Sequence, residues 1–238
     1  MILKGLFGKI RRFVRGRRLA GRDGEEDGVP SSCLHRYPVE GDDSELLAIF
    51  YSGDGGWANL TTHLSKRLQE AGIPVVGIDC MHYFWREKRP VEAAGELEIL
   101  LGKEKAKRVI LLGYSMGADV LPLIATSLSD EALGRVASVV LMSPSDRGYL
   151  KFRFIGWLGV HTHPHLGSPL LPDVEKLART LRVSCFAGER EERTLARSLG
   201  EDLARVELLP GGRHYGSDYE RLADRVLAHL EEGGAGSC

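Results

Sequence analysis

A serine between small residues offers the clearest chemistry in this chain of 238 residues. Ser115 lies in Gly113-Tyr114-Ser115-Met116-Gly117, after an apolar run and before a segment with helical spacing. Small residues two positions away on either side let a strained strand-to-helix turn close, so that the serine Oγ projects from the sheet. The Met116 N–H, at the positive end of the helix, would donate to an oxyanion. We predict a nucleophile at Ser115, and a glycine-rich turn with a capping serine is the alternative.

A serine nucleophile needs a base, and one of the eight histidines stands where a base is expected. His214 lies in the segment 210–216, between the last predicted strand and the last predicted helix. In folds with the order serine, acid, histidine, this loop carries the base. We therefore predict His214 as the general base, against the alternative of an exposed loop histidine.

The acid that orients the base should follow the strand that ends near Ala187. Three neighbouring glutamates stand there, Glu189, Glu191 and Glu192. Glu191 lies three residues after Gly188, the usual reach for this turn, so it ranks first and Glu189 second. Acidic residues also favour the first turn of a helix, so a solvated helix start remains the alternative.

The loop after the first long strand, residues 52–57, is rich in glycine. Glycine lets a backbone N–H approach a substrate carbonyl closely, and we predict Asp54 or Gly55 as the second oxyanion donor. A plain tight turn is the alternative. We also predict that Trp57, Tyr114 and Asp119 contact the substrate.

Three carboxylates, Asp79, Asp119 and Asp146, follow predicted strands or begin predicted helices. They could lie on one rim and bind a cationic group of the substrate. Surface acids and helix caps explain them equally well.

Neither a metal nor a cofactor is predicted. The four cysteines, Cys33, Cys80, Cys185 and Cys238, show no zinc-ligand or disulfide-framework spacing. His161, His163 and His165 alternate, but they have no nearby cysteine or spaced carboxylate.

Apolar runs alternate with helical segments along most of the chain. We predict strands at 46–52, 74–79, 108–115, 135–143, 183–188 and 205–210, and helices at 58–71, 91–101, 116–129 and 217–231. This alternation is typical of an α/β fold with a mostly parallel central sheet flanked by helices. Ligands in such sheets bind at the carboxyl ends of the strands, where the residues above are found.

The composition, with 43 % hydrophobic and 27 % charged residues, is that of one globular domain, and no apolar stretch is long enough to span a membrane. We predict a basic segment at 1–22, a linker and first strand region at 23–45, the folded domain at 46–233 and a tail at 234–238. The segment 144–172 is long for a connection and carries Phe152, Phe154, Trp157 and Leu158. We predict a small cap there that forms an acyl or lipid pocket.

Residues 1–22 carry eight basic residues and no acid, so this segment has a charge of +8 and the rest of the chain −9. On a helix, its apolar and basic residues fall on opposite sides, a pattern suited to an anionic membrane surface. A disordered solubilising tail or a nucleic-acid-binding arm is the alternative. Basic residues interrupt the apolar positions, so no export signal is predicted.

Four segments together resemble the AcvB/VirJ family of bacterial virulence proteins. They read FYSGDGGW, PVVGIDCMHYFW followed by RP, LLGYSMGADVLP, and PGGRHYGSDYE, and the resemblance covers about Leu46 to Leu230. It implies an α/β-hydrolase fold, with Ser115 and His214 as catalytic serine and histidine. The activity implied is hydrolysis of lysyl-phosphatidylglycerol, which releases lysine from the lipid headgroup.

The expected partners are therefore an aminoacyl-phospholipid substrate and an anionic membrane surface bound through residues 1–22, with no specific nucleic acid. The resemblance implies export to the periplasm, whereas the basic segment lacks a signal, so the location stays open between a peripheral cytoplasmic and a periplasmic one. The headgroup amino acid and the oligomeric state also stay open. A general carboxylesterase or thioesterase and a non-catalytic scaffold linked to secretion are the alternative functions.

Overall fold

The core is a seven-stranded sheet, seen in a computed structural model that describes residues 28–41, 45–151 and 167–234. The sheet strands are β1 (Leu34–Tyr37), β2 (Leu46–Tyr51), β3 (Val75–Ile78), β4 (Arg108–Tyr114), β5 (Val136–Met142), β8 (Arg182–Gly188) and β9 (Arg205–Leu209). Their order across the sheet is β1-β3-β2-β4-β5-β8-β9, and β1 alone runs antiparallel to its neighbour. The mostly parallel sheet that the sequence predicts is confirmed.

Helices cover both faces of this sheet. Those of the described residues are α1 (Leu60–Glu70), α2 (Cys80–Tyr83), α3 (Pro90–Lys103), α4 (Met116–Ala125), α5 (Asp130–Gly134), α6 (Leu171–Ala178) and α7 (Tyr219–Gly234). Apolar residues of α1 and α7 belong to the cluster on one face, and those of α3, α4 and α6 to the cluster on the other. None of these helices is long and apolar enough to cross a membrane.

Strand β2 shows why the central strands are apolar along their whole length. Leu47, Ile49 and Tyr51 belong to one core cluster, whereas Ala48 and Phe50 belong to the other. Successive side chains point to opposite faces of a sheet, and both faces are covered here. Each residue of the strand must therefore be apolar, which gives the uninterrupted run seen in the sequence.

The short helix α2 was not predicted, and the helices in 116–134 and 171–178 also differ from the prediction. The helix predicted at 116–129 ends at Ala125, and α5 begins separately because the Ser129 hydroxyl accepts a hydrogen bond from the Ala132 N–H at 3.3 Å. Such an N-cap starts a new helix. Helix α6 was not predicted, because its first residues fall in the segment assigned to the cap.

The base of the predicted cap is a short antiparallel pair, β6 (Arg147–Gly148) and β7 (Ser168–Pro169). Phe152, Phe154, Trp157 and Leu158 lie outside the described residues, so the acyl pocket stays a prediction. The basic segment 1–22 and His161, His163 and His165 also lie outside them.

The indole of Trp57 fixes the loop after β2 to the sheet. It lies flat over Gly77 of β3, where an added Cβ would overlap the ring. His35 of β1 stacks on the indole with 4.8 Å between ring centroids and 9° between planes. The indole N–H donates to the Tyr37 hydroxyl at 3.0 Å. Trp57 thus connects the loop to β1 and β3 through packing and one hydrogen bond.

We expect Gly77→Ala to lower the free energy of unfolding by roughly 1–3 kcal/mol, because the added methyl group overpacks the site under Trp57. Urea unfolding followed by tryptophan fluorescence measures this change. Gly95→Ala is the matched control, since no atom lies within 4 Å of an added Cβ in α3. There alanine should stabilise the helix by up to about 1 kcal/mol. Equal stability of the two variants would contradict this role for Trp57.

Candidate active site

Ser115 occupies a strained turn between β4 and α4. Its φ of 53° and ψ of −114° lie in a region that L-residues rarely adopt. A Cβ on Gly117 would overlap the Tyr51 carbonyl oxygen, and one on Gly113 would overlap Gly117. The small residues on either side are therefore required by close backbone approach. A backbone strained in this way, held by the central strands, is typical of a functional site.

The loop after β2 reaches this turn. A Cβ built on Gly53 would lie 3.4 Å from the Ser115 Cβ, and the Gly56 N–H closes the loop by donating to the Gly53 carbonyl at 3.1 Å. Asp54 and Gly55, the predicted donors, are exposed at its tip. Met116 is the first residue of α4, so its N–H lacks the acceptor that a preceding helical turn would provide. The arrangement allows two backbone donors beside Ser115.

Arg213 contacts the serine and was not found by sequence reasoning. Its Nε donates to the Ser115 Oγ at 3.1 Å, and its Nη2 donates to the Ser143 carbonyl at 3.1 Å and to the Ser145 Oγ at 3.2 Å. A guanidinium is always charged at ordinary pH. A fixed positive charge therefore lies against the candidate nucleophile. In the sequence, the one feature that points to Arg213 is that it directly precedes His214.

Asp119 lies behind this arginine. Its Oδ2 is 3.8 Å from Arg213 Nη2, and its Oδ1 accepts from the Ser145 N–H at 2.6 Å. Only 17 % of its side chain is exposed. Burial raises the pKa of the carboxyl to about 6, while Arg213 and the Ser145 hydrogen bonds act in the opposite direction. The predicted substrate contact of Asp119 stays a prediction.

His214 is exposed, and its ring bonds to Tyr114. The distance from His214 Nδ1 to the Tyr114 hydroxyl is 2.7 Å. Among the described residues the Ser115 Oγ accepts from Arg213 Nε, and no hydrogen bond joins it to the His214 imidazole. Such contacts often form only when substrate is bound. The loop position predicted for His214 is therefore present, and its role as base stays a prediction.

Glu191 lies below the histidine loop without reaching the imidazole. Its Oε2 accepts from the Gly188 N–H at 2.9 Å and from the Ser143 hydroxyl at 2.8 Å. Ser143 is fully buried at a φ of 52° and also contacts the Tyr215 hydroxyl at 2.9 Å. Both donors meet the same carboxylate oxygen, and no hydrogen bond joins Glu191 to His214 among the described residues, so the role of Glu191 as the orienting acid stays a prediction. The second choice, Glu189, is exposed.

The other predicted acids and aromatic residues have structural partners. Asp79 is buried, accepts from the Trp57 N–H at 3.3 Å and from His82 Nδ1 at 2.8 Å, and caps α2. Burial opposes ionisation, but the hydrogen bonds and charge of His82 lower the pKa of Asp79. Asp79 therefore holds the loop after β2 and does not lie on an open rim. Asp146 is exposed, and the Tyr114 ring packs beside Gly53.

The described residues contain no group of three histidine, cysteine, aspartate or glutamate side chains placed to bind a metal ion. The cysteines among them, Cys33, Cys80 and Cys185, are buried and form no disulfide. Burial raises the pKa of the Cys80 and Cys185 thiols, so both stay protonated.

Comparison with known proteins decides the family. Residues 45–233, well over half of the chain, match the family model described as bacterial virulence protein (VirJ). The chain belongs to the VirJ family. The family predicted from the sequence motifs is thereby confirmed. No curated protein matches the sequence.

Solved structures show the fold that this VirJ-family chain shares. It is similar to MenH from S. aureus, with a TM-score of 0.63 and 13 % identity, covering 85 % of this chain and 99 % of that one. Est1E from Butyrivibrio proteoclasticus gives 0.61 and 11 %, covering 85 % and 93 %. Proline iminopeptidase from Mycobacterium smegmatis gives 0.59 and 14 %, covering 84 % and 94 %. Identities this low show the fold alone, and that fold is the predicted α/β-hydrolase fold.

Asp119→Asn should change how stability depends on pH. The folded pKa of about 6 lies above the ordinary 3.8, so the folded protein binds this proton more tightly than the unfolded chain. The free energy of unfolding of the parent therefore falls as pH rises between these two values, by up to about 3 kcal/mol. The asparagine variant lacks this loss. Urea unfolding of both proteins across that pH range measures the difference, and parallel curves would contradict it.

Proposed function

We propose that this VirJ-family protein is a serine ester hydrolase. The observation that carries the proposal is the strained turn at Ser115, which lies at the carboxyl end of the central strand β4. Close contacts of Gly113 and Gly117 hold this turn. A fold with a purely structural role has no need of a serine in so unfavourable a conformation.

In this mechanism Ser115 Oγ attacks the ester carbonyl carbon while His214 takes the hydroxyl proton. The Met116 N–H and the N–H of Asp54 or Gly55 hold the oxyanion. The imidazolium then gives its proton to the leaving alcohol oxygen. Water, deprotonated by His214, attacks the acyl-enzyme and releases the acid and free Ser115. For these steps the Ser115 hydroxyl must direct its proton to the imidazole, while its oxygen can continue to accept from Arg213 Nε.

We further propose that the substrate is an aminoacyl ester of phosphatidylglycerol, most simply the lysyl ester. Family membership motivates this choice, and the charges near Ser115 support it. Asp119 is partly neutralised by Arg213. Asp54, in contrast, is exposed at the tip of the loop after β2, residues 52–57, which we call the oxyanion loop. Asp54 is therefore the carboxylate open to an ammonium group of the headgroup. Arg213, at the nucleophile, would repel that group and so favours its approach from the Asp54 side.

The basic segment 1–22 concerns where the enzyme meets its substrate. We propose that it holds the enzyme on an anionic bilayer, where an aminoacyl-lipid is found. Its charge of +8 opposes the −9 of the remaining chain, so the lipid-binding part and the body face different partners. Each basic residue near an anionic surface contributes about 1 kcal/mol.

Ser115→Ala should abolish release of amino acid from lysyl-phosphatidylglycerol in mixed micelles, with a fall of at least about 10³-fold because the nucleophile is lost. Release of free lysine measures the reaction, and alanyl-phosphatidylglycerol ranks the headgroups. Ser127→Ala is the matched control, since within the described part of the chain the Ser127 hydroxyl donates to the Leu123 carbonyl, at 2.8 Å, near the far end of α4. It should keep full activity.

Two outcomes would overturn the proposal. Turnover of short p-nitrophenyl esters without release of lysine or alanine would instead support a general carboxylesterase or thioesterase. No turnover of any ester by folded protein would support a non-catalytic scaffold.

Deletion of residues 1–22 should weaken binding to vesicles that contain phosphatidylglycerol. Because the attraction is electrostatic, binding of the full chain should fall as salt rises, and the shortened chain should show little of this dependence. Co-sedimentation with anionic and with zwitterionic vesicles measures both effects. Equal binding of the two proteins to anionic vesicles would exclude this role for the segment.

A further inference from the structure

The hydroxyl of Tyr114 has two neighbours. It lies 2.7 Å from His214 Nδ1 and 3.2 Å from the Arg213 carbonyl oxygen. Tyr114 is the last residue of β4, and only 8 % of it is exposed. Its ring packs against Gly53 in the loop after β2. The hydroxyl is therefore held in place by the sheet, whereas the imidazole is on an exposed loop.

The two contacts allow two arrangements, because the phenol proton goes either to the Arg213 carbonyl or to His214 Nδ1, and in the proposal below it goes to the carbonyl. A phenol hydroxyl has one proton, and a backbone carbonyl can only accept. When the hydroxyl donates to the Arg213 carbonyl, its lone pair faces Nδ1, and Nδ1 must carry a hydrogen. A neutral imidazole then has its free lone pair on Nε2. This is the tautomer that a base for a serine hydroxyl requires.

We propose that Tyr114 is the positioning residue for His214, and that it takes at Nδ1 the place that a carboxylate takes in a Ser-His-acid triad. The carboxylate expected there, Glu191, accepts at its Oε2 from the Ser143 hydroxyl and from the Gly188 N–H, and it forms no hydrogen bond with His214 among the described residues. Burial raises the pKa of Tyr114, which keeps the phenol neutral. That the tautomer matters for catalysis rests on the proposed function. The hydrogen bond between Tyr114 and His214, and the tautomer assigned from it, do not depend on that function.

The proton balance of the reaction is complete with this partner. The Ser115 proton goes to Nε2, and the resulting imidazolium keeps its Nδ1–H on the Tyr114 oxygen. The Nε2 proton then passes to the leaving alcohol oxygen. Tyr114 neither gains nor loses a proton at any step, so its contribution is orientation alone.

The test is the tautomer of His214, read from ¹⁵N-histidine NMR spectra at a pH above the titration of imidazole. His214→Gln identifies the resonance by its loss. In the parent we expect the pattern of an Nδ1–H imidazole, and in Tyr114→Phe a shift to the Nε2–H form that free imidazole prefers. Tyr83→Phe is the matched control, because Tyr83 is also buried but its hydroxyl contacts Glu96.

Kinetics of ester hydrolysis give a second readout. In a serine hydrolase, a histidine held in the wrong tautomer lowers kcat about 10⁴-fold. Loss of the Tyr114 hydroxyl only releases the imidazole, which can still adopt the correct tautomer, so we expect kcat to fall by about 10-fold. We expect this fall for Tyr114→Phe with KM unchanged, and a smaller one for Glu191→Gln. An Nε2–H imidazole in the parent, an unchanged tautomer in Tyr114→Phe, or a larger fall in Glu191→Gln would overturn the proposal. The NMR outcome stands even if the protein hydrolyses no ester, so failure of the two proposals can be told apart.

Discussion

The site depends on the close approach of Gly117 to the carbonyl of Tyr51. Helix α4 begins directly on the backbone of β2, where a side chain would have no room. Strand β2 continues into the oxyanion loop, and α4 begins after Ser115. One backbone contact therefore fixes the serine relative to the loop opposite it. The strain at Ser115 persists because the paired strands β2 and β4 over-determine its position.

The parts of the site that could be predicted are those set by local sequence. The turn at Ser115 follows from an apolar strand, two small residues and a helix start, all within a few positions. The place of His214 follows from the order of the elements, and the parallel sheet from the spacing of apolar runs. The break after Ala125 was missed because the cap by Ser129 outweighs the helical pattern around it.

The remaining parts depend on contacts between residues far apart in the chain. Tyr114 and His214 are 100 residues apart, and Ser143 and Glu191 are 48 apart. The partners of the Glu191 carboxylate depend on the side chains that the sheet brings together. The spacing of Glu191 from the end of its strand does not reveal them. Arg213 was missed for the same reason, since an arginine beside a histidine has no special meaning until its guanidinium is seen on Ser115.

The charges at the site explain how Tyr114, an uncharged partner of His214, is sufficient for the proposed reaction. A carboxylate at Nδ1 stabilises the imidazolium, and a phenol does so less because it carries no charge. Arg213 lies 3.1 Å from the Ser115 oxygen and favours negative charge there, so it makes the serine easier to deprotonate. Asp119, held beside Arg213, limits this effect through its own charge. In the proposed reaction, electrostatic assistance would therefore act mainly on Ser115, and Tyr114 would orient a base that needs less charge stabilisation.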